Sequence, residues 1–313
     1  MQTVFKNRRL VLLSVIMLAF MNTLQAQTDE DAIMMSKKNL CSGIMYGHSS
    51  WNNYWEGTLK RDNQNIGTVT TNMFSIMENY GVNRRLNIIA NLPYIETKAS
   101  AGTLHGMKGL QDFSAWVKWM PIEKNLKKGT ISLYLLGGAS LPASNYVADF
   151  LPLSIGLHSK TLSGRIIVDY QLGNFFTTAS ATYTYRSNVT IDRTSYYTTT
   201  LVLSNEVQMS DVVSENFRIG YRSSHLIAEA VLSNMTTLSG FDIRRNDMPF
   251  LSNQMNATTA GANFKYTLPK ISALAITGGA NYTIAGRNVG QSTNLNIGVF
   301  YVVDFSPKKK DKK

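Results

Sequence analysis

Between residues 163 and 186 the chain alternates between apolar and polar side chains with a period of two. Gly164, Ile166, Val168, Tyr170 and Leu172 are small or apolar; Ser163, Arg165, Asp169 and Gln171 between them are polar, with Ile167 the one exception. Gly173-Asn174 follows, a two-residue turn of hairpin type. The second arm repeats the rhythm, with Phe175, Ala179, Ala181, Tyr183 and Tyr185 on one face and Thr178, Ser180, Thr182, Thr184 and Arg186 on the other. A period of two places the two sets on opposite faces of a strand. Each arm has the length, about ten residues, that a tilted strand needs to cross a bilayer.

The same rhythm recurs along the chain. It predicts strands over 40–47, 66–76, 85–94, 110–120, 129–139, 163–172, 175–186, 213–222, 226–234, 258–268, 273–284 and 293–305. The count is about twelve, with ten or fourteen as alternatives, and bacterial single-chain barrels have an even number. Connections alternate as well: 80–84, 121–128, 173–174, 223–225 and 269–272 are short, while 49–65, 95–109, 140–162, 187–212, 235–257 and 285–292 are longer. Outer-membrane barrels sort their connections in this way, with short periplasmic turns and longer outer loops. A soluble sandwich shows similar alternation within strands but has no reason to sort its loops. The pattern therefore predicts an all-β protein, a transmembrane antiparallel up-and-down β-barrel. In lipid every backbone N–H and C=O needs a partner, and a sheet achieves this only without free edges. Tyr46, Tyr94, Trp119, Tyr134, Tyr185, Tyr221 and Tyr301 fall near strand ends, as interfacial girdles would.

The N-terminus fits that compartment. Lys6, Arg8 and Arg9 precede the apolar run Leu10 to Phe20, and Leu24-Gln25-Ala26 offers a cleavage point. Residues 1–26 read as a secretory signal peptide, the run being too short for a membrane-spanning helix. Residues 27–39 are polar and patternless and are expected to be a periplasmic lead-in. The barrel is expected over 40–305 and a basic tail over 306–313. Localisation follows as the outer membrane of a Gram-negative-type cell.

The formal charge of +11 changes little. Three positive charges lie in the leader and a net four in the tail, which leaves +4 for the body. No basic patch interleaved with aromatics stands out, so nucleic acid is not an expected partner. Cys41 stands alone and cannot form an internal disulfide. His48, His105 and His225 make no metal-ligand set, so neither metal nor cofactor is expected. A hydrophobic content of 44% suits a barrel in which only alternate residues face lipid. Expected partners are outer-membrane lipid, a small-molecule solute and, during biogenesis, the barrel-assembly machinery.

Two stretches resemble the meta-pathway phenol-degradation family of outer-membrane proteins. They are Tyr80-Gly81-Val82-Asn83-Arg84-Arg85-Leu86-Asn87 with Leu92-Pro93-Tyr94, and Gly109-Leu110-Gln111-Asp112 leading into Ala115 to Trp119. Gln111 stands where that family usually has Gly. The resemblance implies a transporter-like barrel for small, often aromatic or hydrophobic compounds.

Alternation turns Asp112, Lys118, Arg165, Asp169, Arg186, Arg218, Arg222, Glu229 and Lys265 towards the lumen. These charges either pair across a filled interior or form a constriction that screens solutes. The segment Gly240 to Phe250 holds Arg244, Arg245 and Asp247. Folded inward it adds to a constriction; otherwise it is a surface loop closed by its own ion pairs. Gly156-Leu157-His158-Ser159 is similar to the histidine–serine arrangement of an outer-membrane phospholipase, but adjacent residues of an extended chain point to opposite faces, and a serine nucleophile needs its base within reach. The expected function is non-enzymatic, a channel for passive passage of small molecules. The alternatives are an adhesin-like or structural barrel with a filled lumen and, less favoured, the phospholipase-type enzyme.

Overall fold

A computed structural model describes residues 28–245 and 247–307. The signal peptide expected over 1–26 and the lysine run 308–313 lie outside the described residues. Twelve long strands form one closed antiparallel sheet. They are β1 (Asn39–Trp51), β2 (Val69–Asn83), β3 (Leu86–Ala99), β4 (Asp112–Asn125), β5 (Thr130–Pro142), β6 (Thr161–Leu172), β7 (Phe175–Arg186), β8 (Val212–Arg222), β9 (Leu226–Thr237), β10 (Asn256–Thr267), β11 (Leu274–Arg287) and β12 (Thr293–Asp304). Each pairs with its neighbours in sequence, and β1 closes on β12 from Asn39↔Asp304 to Ser50↔Thr293. Several strands run beyond their predicted ends; β2 starts at Val69 rather than residue 66 and extends to Asn83. No described helix is long and apolar enough to cross a membrane.

Ile44, Ile76, Ile88, Val117, Ile166, Val168, Ile219, Ile297 and Val299 are exposed on the outer wall. At the short-turn end the outward side chains include Tyr80, Trp119, Phe175, Tyr266 and Tyr301, and at the long-loop end Tyr46, Tyr94, Phe113, Tyr183 and Tyr185. Two aromatic belts flank an apolar band, the exterior of a membrane-spanning barrel. Tyr134, expected in a girdle, points inward instead: it is buried, and its hydroxyl donates to the carbonyl of Ala32 at 2.8 Å.

The inner wall departs from a uniformly polar lining. Ile167, the one break in the opening hairpin's alternation, is fully buried with Met120, Tyr134 and Leu136. Ile89, Met77, Cys41, Ala275, Phe300 and Val302 form a second inward cluster. Two rings lie flat on this wall because the residue opposite is glycine: a Cβ on Gly43 would sit 2.2 Å from the Phe300 ring, and one on Gly138 would sit 2.3 Å from Trp116.

At the long-loop end the connections pack on one another. Ala148, Val189, Ile191, Tyr196, Val207, Met209 and Leu251 form a small core shared by three loops. Asp242 accepts two bonds from Arg287 at 2.7 Å, and the Asn288 side chain ties Gly57, Ile243, Asp242 and the carbonyl of Gln254 together.

Candidate functional site

The two inward apolar clusters surround a stretch of the chain itself. Residues 28–38, read from the sequence as a lead-in outside the barrel, run inside it. Ala32 packs with Met120, Tyr134, Leu136 and Ile167; Met35 packs with Cys41, Met77, Ile89 and Phe300. The chain leaves the lumen at the short-turn end, where the Lys38 N–H donates to the Gly81 carbonyl at 2.7 Å and Lys38 takes a positive φ of 63° to enter β1.

Three consecutive acids of this segment reach three different walls. Asp29 meets Arg165 of β6 at 3.0 Å, Glu30 meets Arg218 of β8 at 2.7 Å, and Asp31 meets Lys118 of β4 at 3.0 Å. The Lys118 side chain is fully buried, and its ammonium also donates to the carbonyls of Thr28 at 3.1 Å and Asp31 at 2.6 Å. An ammonium has three donors and no acceptor, so all three are used on the segment. Arg165 also donates to Thr182 Oγ1 and to the Asp29 carbonyl, and its guanidinium lies 4.7 Å from the Trp116 ring centre. Arg218 is shared: besides Glu30 it donates to Glu229 at 2.9 Å and to Asn216 at 2.7 Å. The segment is thus held by charge on three sides and by apolar contact below, in surroundings where an unpaired charge is costly.

A second ionic group lies nearer the short-turn mouth. Asp169 accepts from Thr178 at 2.5 Å and from Arg222 at 3.1 and 3.3 Å, and Arg222 stacks 4.0 Å from the centre of the Phe176 ring. Lys265 is buried on the inner face of β10 and borders the space beside the segment. Among the other expected luminal residues, Asp112 accepts from Tyr146 at 2.6 Å beneath the loops, and Arg186 sits at the end of β7. Arg244, Arg245 and Asp247 do not enter the lumen: all three are exposed on an outer loop, where Arg244 pairs with Asp247 at 2.8 Å. That is the geometry of a surface loop closed by its own ion pair. The Ser159 hydroxyl donates to the Ser187 carbonyl at 2.6 Å, and His158 packs edge-on against Tyr146 at 4.9 Å; no bond joins His158 to Ser159.

The docked segment leaves space beside it. A cavity of about 390 Å³ lies between Asp29–Asp31 and the wall that runs from β8 through β12 to β1 and β2. One side is apolar and soft, with Met45, Met73, Met77 and Phe300; the other carries Asn216, Thr259, Asn263, Asn281 and Asn296 beside Lys265 and the ion-paired Arg218, Glu229 and Arg222. A wider vestibule of about 1000 Å³ opens at the short-turn end between residues 32–37 and the strands bearing Ser132, Asp169 and Arg222. Asp29, Glu30, Asp31 and the methionine wall went unrecognised in the sequence, although the apolar exceptions on the luminal face were a usable signal that something packs there.

Fold and interior define a twelve-stranded β-barrel of the outer-membrane type whose own N-terminal segment is docked inside it. The crystal structure of an outer membrane channel from Pseudomonas putida F1 superposes with a TM-score of 0.70 at 14% identity, covering 89% of this chain and 100% of that one. Weaker similarity extends to the translocator domain of the autotransporter NalP from Neisseria meningitidis (TM-score 0.44, 9% identity, 95% of this chain and 96% of that one) and to the KdgM porin in complex with disordered oligogalacturonate (TM-score 0.41, 8% identity, 83% and 98%). No family model and no curated protein matches the sequence.

Proposed function

We propose that this barrel conducts small molecules passively across the outer membrane, through the space that the docked segment leaves open. The observation that carries the reading is the two-faced cavity of about 390 Å³ beside residues 29–31. Its methionine wall accommodates varied apolar shapes because thioether chains are flexible and polarizable. Its amide and hydroxyl wall accepts the polar groups of the same solute. This favours compact molecules with an apolar body and uncharged polar groups, phenols among them, which agrees with the resemblance to the phenol-degradation family. The vestibule then leads to the periplasm, since short turns mark that side. The barrel carries out no reaction in this reading, and its neighbours in fold include channels and porins. Liposome swelling with graded solutes tests it. Phenol-sized neutral solutes are expected to enter at rates well above those of charged solutes of equal size. No swelling with any solute would refute it.

A filled, ligand-binding barrel is the second reading, favoured by the packed core under the long loops. Under that reading, swelling is absent even after residues 28–38 are deleted.

A further inference from the structure

On the outer wall of β7–β10 the apolar band is interrupted by a row of polar residues. Strand pairing sets Ala181 opposite Glu215, Glu215 opposite Asn234, and Asn234 opposite Thr258. Glu215 has the same parity as the exposed Phe217 and Ile219, and is itself exposed. It lies six positions before Tyr221. At about 3.3 Å per residue and a tilt of about 40° this is about 15 Å along the barrel axis, inside a band about 25 Å tall.

The neighbours of Glu215 satisfy one another. Asn234 donates to Thr258 at 2.9 Å, and Thr236 donates to Asn234 at 2.8 Å. The Glu215 carboxylate takes no part, and among the described residues it has neither a hydrogen bond nor an ion pair. By contrast Glu78, also on the outward face, accepts from the Ser42 hydroxyl at 2.6 Å. A carboxylate within the span of a bilayer is costly alone and marks a functional position whose partner should be identified. Nothing among the described residues supplies one, which leaves the position open to a partner from outside them.

Beside Glu215 the wall carries a furrow of about 460 Å³, floored by Ala179 and Ala181 and flanked by Ile166, Val168, Phe217 and Leu232. We propose that furrow and carboxylate together bind a single-chain amphiphile with an ammonium head, the alkyl chain lying over the alanines and the head pairing with Glu215. Charge complementarity selects this occupant. The outward positions of β7–β10 between the girdles hold no Lys or Arg, so a second copy docked face to face would set carboxylate against carboxylate. An anionic amphiphile would be repelled, and a neutral one would leave the charge unpaired. The site requires the barrel to sit in a bilayer but does not depend on whether the lumen conducts.

The test is equilibrium binding of radiolabelled dodecylamine, dodecanol and dodecanoate to the full-length protein in phosphatidylcholine nanodiscs at neutral pH, against empty nanodiscs. Wild type should bind dodecylammonium saturably and about tenfold or more tighter than dodecanol, with no saturable dodecanoate binding. Glu215→Gln should abolish the preference for the amine while leaving dodecanol unchanged. Ala181→Phe, which fills the furrow, should weaken both, and Glu78→Gln should change neither. Equal binding of amine and carboxylate to wild type, or an unaltered amine preference in Glu215→Gln, would overturn the proposal. A Glu215-dependent dimer in analytical ultracentrifugation would also overturn it, by assigning the face to a second copy.

Discussion

Replacing Lys118 by Met should release the N-terminal segment. The side chain is fully buried, and its ammonium is bonded only to the segment, through the carboxylate of Asp31 and two carbonyls between 2.6 and 3.1 Å. Met is close in volume, so the barrel wall keeps its packing while the charge is lost. Asp31 is then a carboxylate enclosed without its cation, and breaking a buried pair from one side costs about 3–5 kcal/mol. Even the low end shifts the docked-to-undocked ratio on the order of a hundredfold. The comparison variant is Glu30→Gln. The Glu30 carboxylate is 55% exposed, and its partner Arg218 keeps Glu229 at 2.9 Å. That pair is worth about 1 kcal/mol or less. Single-channel recording in planar bilayers should therefore show a raised conductance, or frequent steps to a higher level, for Lys118→Met and near-wild-type currents for Glu30→Gln. Hydrogen exchange should show faster exchange for residues 28–38 in the first variant only. Equal conductance in the two variants would refute the claim that the Lys118 contact is what holds the segment. The double variant Lys118→Met, Asp31→Asn should recover part of the loss, because the stranded charge is gone.

Asp169→Ala, which strands buried Arg222, should cost about 3–5 kcal/mol, read as a lower unfolding midpoint in detergent. Gly43→Val should displace the Phe300 ring, whose atoms lie 2.2 Å from the position of the added Cβ, with about 1–3 kcal/mol of destabilisation visible as reduced heat-modifiable mobility. The outer clamp should loosen in acid. Hydrogen bonding from Arg287, aided by Asn288 and the Arg287 charge, holds the Asp242 carboxyl below its usual range. A carboxyl depressed on folding contributes stability that is present above its ordinary value near 4 and lost as pH falls through its lowered one. Proteolysis of loop 238–255 should accordingly rise in strong acid, and Asp242→Asn should be susceptible already at neutral pH.

Much of this protein is legible in its sequence. Twelve strands, their outward faces and the sorting of short turns from long loops all follow from a local rhythm, because lipid outside and water inside impose a period of two on each strand independently. The inward orientation of Lys118, Arg165 and Arg218 was also legible, since parity alone decides it. What occupies the space between them was not. Asp29, Glu30 and Asp31 lie in a stretch without period, and they meet residues 136, 188 and 87 positions away. Ile167 looked like a lapse in the pattern and is instead a surface against which Ala32 packs, as Ile89 is for Met35. Only the closed barrel decides these contacts. Which charge meets which depends on how strands far apart in sequence face one another across the lumen, and a one-dimensional pattern holds no record of that distance.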